Sequence, residues 1–165
     1  MTYLIRVLTA ERWNFEYSET DKPFKANPLG DLRTDHDNLS VFELDKKKTN
    51  LNDILLGFAL KKYSVSTLQY VELDPKEISK LGFDVVNAKE EGNTLIQAAN
   101  EANMNIQIRS ADKLVELAKH IYTKTENIQT VKRKEIKKLI EDSLTSGTLT
   151  SDDLNCGLKK VFKNS

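Results

Sequence analysis

The stretch LSVFELDKKKTNLNDILLGFALKKYSVSTLQYVEL, residues 39–73, decides the fold that we expect. Residues 39–44 are rich in branched and aromatic side chains and predict a strand, whereas residues 51–63 repeat apolar side chains with helical spacing. Residues 65–73 predict a second strand. A strand, a helix and a strand within about 35 residues match a right-handed crossover between two parallel strands. The stretch therefore predicts an α/β unit.

The segment before this unit predicts one further strand and a long loop. Residues 3–8 are almost wholly apolar, interrupted only by Arg6, and predict a strand that is covered on most sides. Residues 10–31 mix aromatic and charged side chains with helix breakers, among them Pro28 and Gly30, so regular structure is not expected there.

Short helices and strands are expected after residue 73. Asp74 followed by Pro75 is a helix start signal, and Gly82 can end that helix in the left-handed conformation. Ser110 can cap a longer amphipathic helix. Between these helices the pattern predicts an edge strand at 83–86, a small-residue helix at 94–102 and a strand at 105–109.

The chain changes character after residue 125. Residues 128–143 and 151–163 predict two amphipathic helices, separated by a Ser-Gly break, with no strand signal. We therefore predict an α/β (or α+β) fold, with a small mixed or parallel sheet of about four to five strands and flanking helices. A core module at 1–125 would be followed by a C-terminal helical hairpin at 127–165, packed on the core or on a partner.

Composition describes an ordinary globular protein. The chain is 39% hydrophobic and 30% charged, and its 25 basic residues match its 25 acidic residues, so the formal net charge is zero. No long-range field favours nucleic acid or an anionic membrane. No run approaches the roughly 20 apolar residues of a membrane helix, and the apolar start is too short for a signal peptide. We expect a cytoplasmic protein without a membrane partner.

The loop before residue 39 contains the best candidate site. Arg33 could bind a phosphate or carboxylate, His36 could exchange a proton near neutral pH, and Asp35 or Asp37 could orient the imidazole. Asn38 completes this group. The alternative interpretation is a polar turn whose Asp and Asn side chains accept local backbone hydrogen bonds, and it explains the same composition without a catalytic role.

Other catalytic and cofactor signatures are missing from the sequence. Neither a glycine-rich phosphate loop nor a GxSxG elbow occurs, so no cofactor is expected. His36 and His120 stand far apart without metal-ligand spacing, so no metal is expected either. Cys156 has no second cysteine with which to form a disulfide, and it carries no local sign of activation.

The predicted C-terminal hairpin offers candidate partner contacts of two kinds. Its first helix carries a basic run that acidic residues dilute, and its second helix carries an apolar stripe. The partner-binding candidates are Lys132, Arg133, Lys134, Lys137, Lys138, Leu154, Leu158 and Phe162.

Three functional hypotheses follow. The favoured one is a non-catalytic protein-interaction module, of the kind found among immunity proteins, antitoxins and complex subunits, and it rests on size and class alone. The alternative is an enzyme acting on a phosphorylated or nucleotide-like substrate through Arg33 and His36. The third is nucleic-acid binding through the basic helix at 132–138, which the zero net charge disfavours.

Overall fold

The structure is a computed structural model that describes residues 2–14, 25–32, 34 and 36–162. Within these residues, six strands form one sheet in the order β4-β5-β2-β1-β3-β6, and all neighbouring strands are antiparallel. The strands are β1 (Tyr3–Leu8), β2 (Asn38–Leu44), β3 (Leu68–Leu73), β4 (Val85–Asn87), β5 (Asn103–Gln107) and β6 (Gln129–Val131).

Helices flank this sheet, so the prediction of a mixed α/β fold is confirmed. The helices are α1 (Ala26–Asp31), α2 (Leu51–Leu60), α3 (Pro75–Lys80), α4 (Gln97–Glu101), α5 (Ala111–Tyr122), α6 (Arg133–Thr145) and α7 (Cys156–Val161). The expectation of a mixed or parallel sheet with four or five strands was wrong, because the described sheet is antiparallel and has six strands.

The predicted strand-helix-strand unit is present as β2, α2 and β3, but its two strands are not neighbours. Both are antiparallel to β1, which lies between them, so they point the same way without pairing with each other. Leu4 and Ile5 of β1 are buried on opposite faces, as a central strand requires. The first predicted strand, β1, therefore lies between the two strands that were expected to pair with each other.

Local signals at the helix ends act largely as expected. The Asp74 carboxylate accepts a hydrogen bond from the Lys76 amide at the start of α3, and Gly82 adopts a φ of 77° just beyond its end. The Ser110 hydroxyl accepts from the Lys113 amide at the start of α5. These short-range predictions are confirmed.

Two helical layers cover the sheet, one on each face. The layer of α2, α4, α6 and α7 packs on the face that carries Ile5 and Leu44, and we call this the cleft face. The layer of α1, α3 and α5 packs on the face that carries Leu4 and Leu39, the apolar face. Among the described helices, none is long and apolar enough to cross a membrane.

The C-terminal segment begins with a strand that the sequence did not reveal. Its three residues form β6 and pair with β3, from Leu68 opposite Val131 to Tyr70 opposite Gln129. The helical pair differs from the prediction as well, because α6 begins only at Arg133 and α7 is a single short helix. Ile140 of α6 and Leu158 of α7 are fully buried in the same cluster as Ile5.

Candidate ligand-binding cleft

A cleft of about 720 Å³ opens on the cleft face, above the point where β2 and β5 pair. The end of α2 and the loop at residues 91–94 form its sides. Its lining is polar except for two phenylalanines, and it consists of Arg6, His36, Asn38, Ser40, Phe42, Phe58, Lys61, Glu91, Gly92, Asn93, Thr94, Asn100, Asn103 and Asn105.

The polar floor follows from the alternation of side chains along β5. In the β2–β5 register, Asn105 stands opposite Ser40 and Asn103 stands opposite Phe42, and all four line the cleft. Asn103 and Asn105 are only 5% and 3% exposed. Because successive side chains of a strand point to opposite faces, Ile106 lies on the apolar face instead.

Hydrogen bonds fix this floor. The Ser40 hydroxyl donates to Asn103 Oδ1 over 2.8 Å, and Asn103 Nδ2 donates to the Ala88 carbonyl over 2.9 Å. Asn105 Nδ2 donates to Glu91 Oε2 over 2.7 Å. Buried carboxamides are costly unless they are paired, so these bonds hold the floor in one arrangement.

Arg6 lies where β1 and β2 separate. Their paired register runs only from Tyr3 with Leu44 to Ile5 with Phe42. Beyond it, Arg6 donates from Nη1 to the Ser40 carbonyl over 2.6 Å and from Nη2 to the Asp31 carbonyl over 2.8 Å.

The Arg6 guanidinium is not fully satisfied by these bonds. Its Nε is buried and makes no hydrogen bond with the described residues. Burial lowers the pKa of the guanidinium, and the nearby charge of Asp31 opposes that effect. The group still carries its charge at neutral pH, because guanidinium groups stay protonated in proteins.

The mouth of the cleft is formed by Lys61 and the loop at 91–94. Lys61 Nζ donates to Asn93 Oδ1, and partial burial lowers the pKa of this lysine. The loop itself is held by Asn100, whose Oδ1 accepts from the Thr94 amide and whose Nδ2 donates to the Thr94 carbonyl, each over 2.9 Å. The mouth therefore presents a cation beside an ordered loop.

An apolar wall, made by Phe42 and Phe58, adjoins the polar floor. The rings of Phe42 and Phe58 meet edge to face, with centroids 5.1 Å apart and planes inclined at 74°. Such an edge-to-face pair is a favourable aromatic geometry and gives the wall a fixed shape. A ligand here would meet both polar groups and aromatic carbon.

The structure brings two of the four predicted site residues to this cleft. His36 and Asn38 line it, and His36 adopts a left-handed φ of 48° at the turn into β2. Arg33 and Asp35 lie outside the described residues. The Ser40 hydroxyl donates to the amide oxygen of Asn103, so among the described residues its hydrogen-bond acceptor is not a general base.

The predicted partner contacts divide into an exposed set and a buried set. The basic side chains on and just before α6 are exposed: Lys132, Arg133, Lys134, Lys137 and Lys138. Leu154, Leu158 and Phe162 are 4%, 0% and 6% exposed and belong to the protein's own core. These three side chains are therefore covered by the protein's own cleft-face layer.

Sequence reasoning missed Arg6, Lys61, Asn103 and Asn105. The available signal was the alternation in NMNIQ, residues 103–107, where every second side chain is a carboxamide. The other signal was a single charge inside the apolar strand at 3–8. The pairing of β2 with β5 and with β1, and the packing of α2 on the same face, bring these residues to one cleft.

Comparisons with protein-family models, with curated proteins and with solved structures gave no match.

Proposed function

We propose that the protein binds a small organic anion in this cleft, of the size of a phosphorylated sugar or a nucleotide. The polar floor carries the proposal, because Asn103 and Asn105 occupy buried sheet positions that packing alone would fill with carbon. A volume of about 720 Å³ falls within the range of small-molecule sites.

The charges around the cleft favour an anion. Arg6 and Lys61 contribute two cations, whereas the carboxylate of Glu91 already accepts a hydrogen bond from Asn105. A guanidinium offers a planar set of donors that suits phosphate and carboxylate oxygens. His36 would contact the same anionic group. The sequence-based hypothesis assigns this contact to Arg33 as well.

Asn38 provides the sharpest test of this proposal. It lines the cleft, and its side chain makes no hydrogen bond to another described residue, so its removal leaves none of those residues without a partner. We expect Asn38→Ala to weaken binding of a matching phosphorylated sugar or nucleotide about tenfold, the loss of one or two hydrogen bonds to a charged ligand.

The measurement is a thermal-shift screen of sugar phosphates and nucleotides, followed by calorimetric titration of each hit. Asn52→Ala is the matched control, because Asn52 is an exposed residue on α2 away from the cleft. Equal affinities for the two variants, or no hit in the whole screen, would overturn the proposal.

Protein interaction stays a second candidate, and the exposed cations of α6 favour it. Four of the five lie within the first two turns of the helix, and Lys137 has an i,i+4 ion pair with Glu141. The fitting partner is an acidic protein surface, because a cationic face gains from electrostatic complementarity at low salt.

Charge reversal tests this second candidate. The triple variant K134E/K137E/K138E should lose a host-protein partner that the natural chain captures, whereas the variant K46E/K47E should keep it. Capture that is unchanged by the triple variant would exclude the α6 face. A mobility shift of DNA or RNA that falls steeply with salt would assign the face to nucleic acid instead.

A further inference from the structure

A second cleft of about 560 Å³ lies beside the first and shares two residues with it, Arg6 and Phe58. Its other polar lining residues include Lys62, Thr67 and Gln69, with Glu11 and Asp31 as its carboxylates. The side chains of Arg6 and Phe58 thus separate two neighbouring clefts.

The hydrogen bonds of Arg6 connect the two clefts. Its Nη1 donates to the carbonyl of Ser40, which lines the first cleft, and its Nη2 donates to the carbonyl of Asp31, which lines the second. Its Nε is buried and has no partner among the described residues. A buried unpaired donor is rare in folded proteins, so this one points to a role for the guanidinium besides holding the two carbonyls.

The two lysines that follow α2 belong to different clefts. Lys61 lines the first cleft and Lys62 lines the second, so each cleft combines its own lysine with the shared arginine. The carboxylates are partly occupied within the protein: Asp31 Oδ2 accepts from the Thr9 amide and from Trp13 Nε1. The two clefts together present three cations, Lys61, Arg6 and Lys62, whose N–H groups suit the oxygens of a phosphate.

We infer that the ligand is a two-part molecule joined by a phosphate linkage, with the linkage at Arg6 and one part in each cleft. This inference rests on the proposed function and specifies its ligand class, which includes nucleotide sugars and dinucleotides. The first cleft supplies an aromatic wall and carboxamides for one part. Hydroxyl and amide groups of the second cleft bind the other part.

Nuclear magnetic resonance on the 165-residue chain tests this inference. Uniformly ¹⁵N-labelled protein is titrated with two one-part probes, AMP and UMP, and with two joined probes, ADP-ribose and UDP-glucose. At least one joined probe should shift the Arg6 Nε–H resonance together with backbone amides near Asn105 and near Thr67. Its affinity should exceed that of the matching one-part probe at least tenfold.

Two lysine variants separate the contributions of the clefts without touching the shared arginine. Lys62→Gln should weaken the joined probe at least fivefold and leave the one-part probe unchanged, whereas Lys61→Gln should weaken both. Lys46→Gln, in the exposed turn after β2, is the matched control.

The outcomes distinguish this inference from the proposed function. Equal affinities for joined and one-part probes, with shifts confined to the first cleft, would overturn the two-part ligand and leave the single cleft standing. Shifts near Thr67 alone would also overturn it. No shift of any cleft resonance with any of the four probes would overturn the two-part ligand, whereas the proposed function is overturned only if the screen of sugar phosphates and nucleotides also gives no hit.

Discussion

The two faces of the sheet use one strand in opposite ways. On the apolar face, Ile106 of β5 is fully buried among other carbon side chains. On the cleft face, its neighbour Asn105 is almost as buried but bonds to Glu91. A buried carboxamide stabilises less than a packed apolar side chain, so the cleft face gives up stability at these positions. We interpret that loss as the mark of a binding surface.

The largest expected effect is on the apolar face. Ile106→Ala should lower the free energy of unfolding by about 4 kcal/mol, because it removes a fully buried side chain and leaves a cavity. Asn105→Leu should change it by no more than about 1 kcal/mol, because carbon replaces a group whose partner Glu91 is exposed to water. Urea unfolding of both variants measures the difference, and similar losses would remove the distinction between the faces.

The next effect lies in the helical layer over the cleft face. A Cβ on Gly157 would lie 1.9 Å from the Tyr63 carbonyl oxygen, so α7 could not stay in place. Gly157→Ala should therefore cost about 3 kcal/mol by overpacking. Gly30→Ala is the control, since the nearest atom there is an Arg12 side-chain nitrogen at 3.6 Å. Equal unfolding midpoints would show that α7 does not need this close contact.

A smaller loss is expected at the floor of the cleft. Asn103→Ala leaves the Ser40 hydroxyl and the Ala88 carbonyl without their partner, which should cost about 2 kcal/mol. The exposed Asn52→Ala should cost little. Denaturant titration compares them. An Asn103→Ala variant as stable as the natural chain would mean that the floor is not held by these bonds.

The smallest effect is a pH dependence of stability that arises from His120 of α5, in the helical layer on the apolar face. Burial, with a contribution from Lys124, lowers the pKa of His120, and Glu77 opposes this from 3.6 Å. The unfolded chain therefore binds the proton more readily than the folded one. Stability should be complete above about pH 6.5 and should decline as the pH falls through the lowered folded pKa.

His120→Gln should flatten this decline. The measurement is the urea midpoint from about pH 7.5 down to about pH 5, in the natural chain and in the variant. A decline of equal slope in both proteins would assign the pH dependence to other groups.

Local elements were predictable from the sequence, and sheet order was not. The spacing of apolar side chains identified α2 and the strands around it, and Asp74 and Ser110 marked helix starts correctly. Strand β6 was missed because three residues with one apolar side chain carry too little signal. Strands β2 and β3 each pair with β1 and not with each other. That choice depends on contacts between residues far apart in the sequence, which the spacing of apolar side chains does not reveal.

The site was predictable only in part, for a related reason. His36 and Asn38 stood out because they lie in one polar loop, and both line the cleft. Arg6 and Asn105 are 99 positions apart in the numbering and meet through strand pairing alone. The apolar stripe that contains Leu158 suggested a partner surface, because an amphipathic pattern does not show what covers the apolar side. In the structure the protein's own core covers it.

Asn155 connects the end of α2, which lies beside the cleft, to the start of α7 near the end of the sequence. Its Oδ1 accepts from the amides of Gly157 and Leu158 at the start of α7, while its Nδ2 donates to the carbonyls of Leu60 and Lys62 at the end of α2. Opening of α7 would release the helix end that carries Lys61. Ligand binding should therefore slow hydrogen exchange at the Leu158 amide, so that the far end of the chain reports on occupancy.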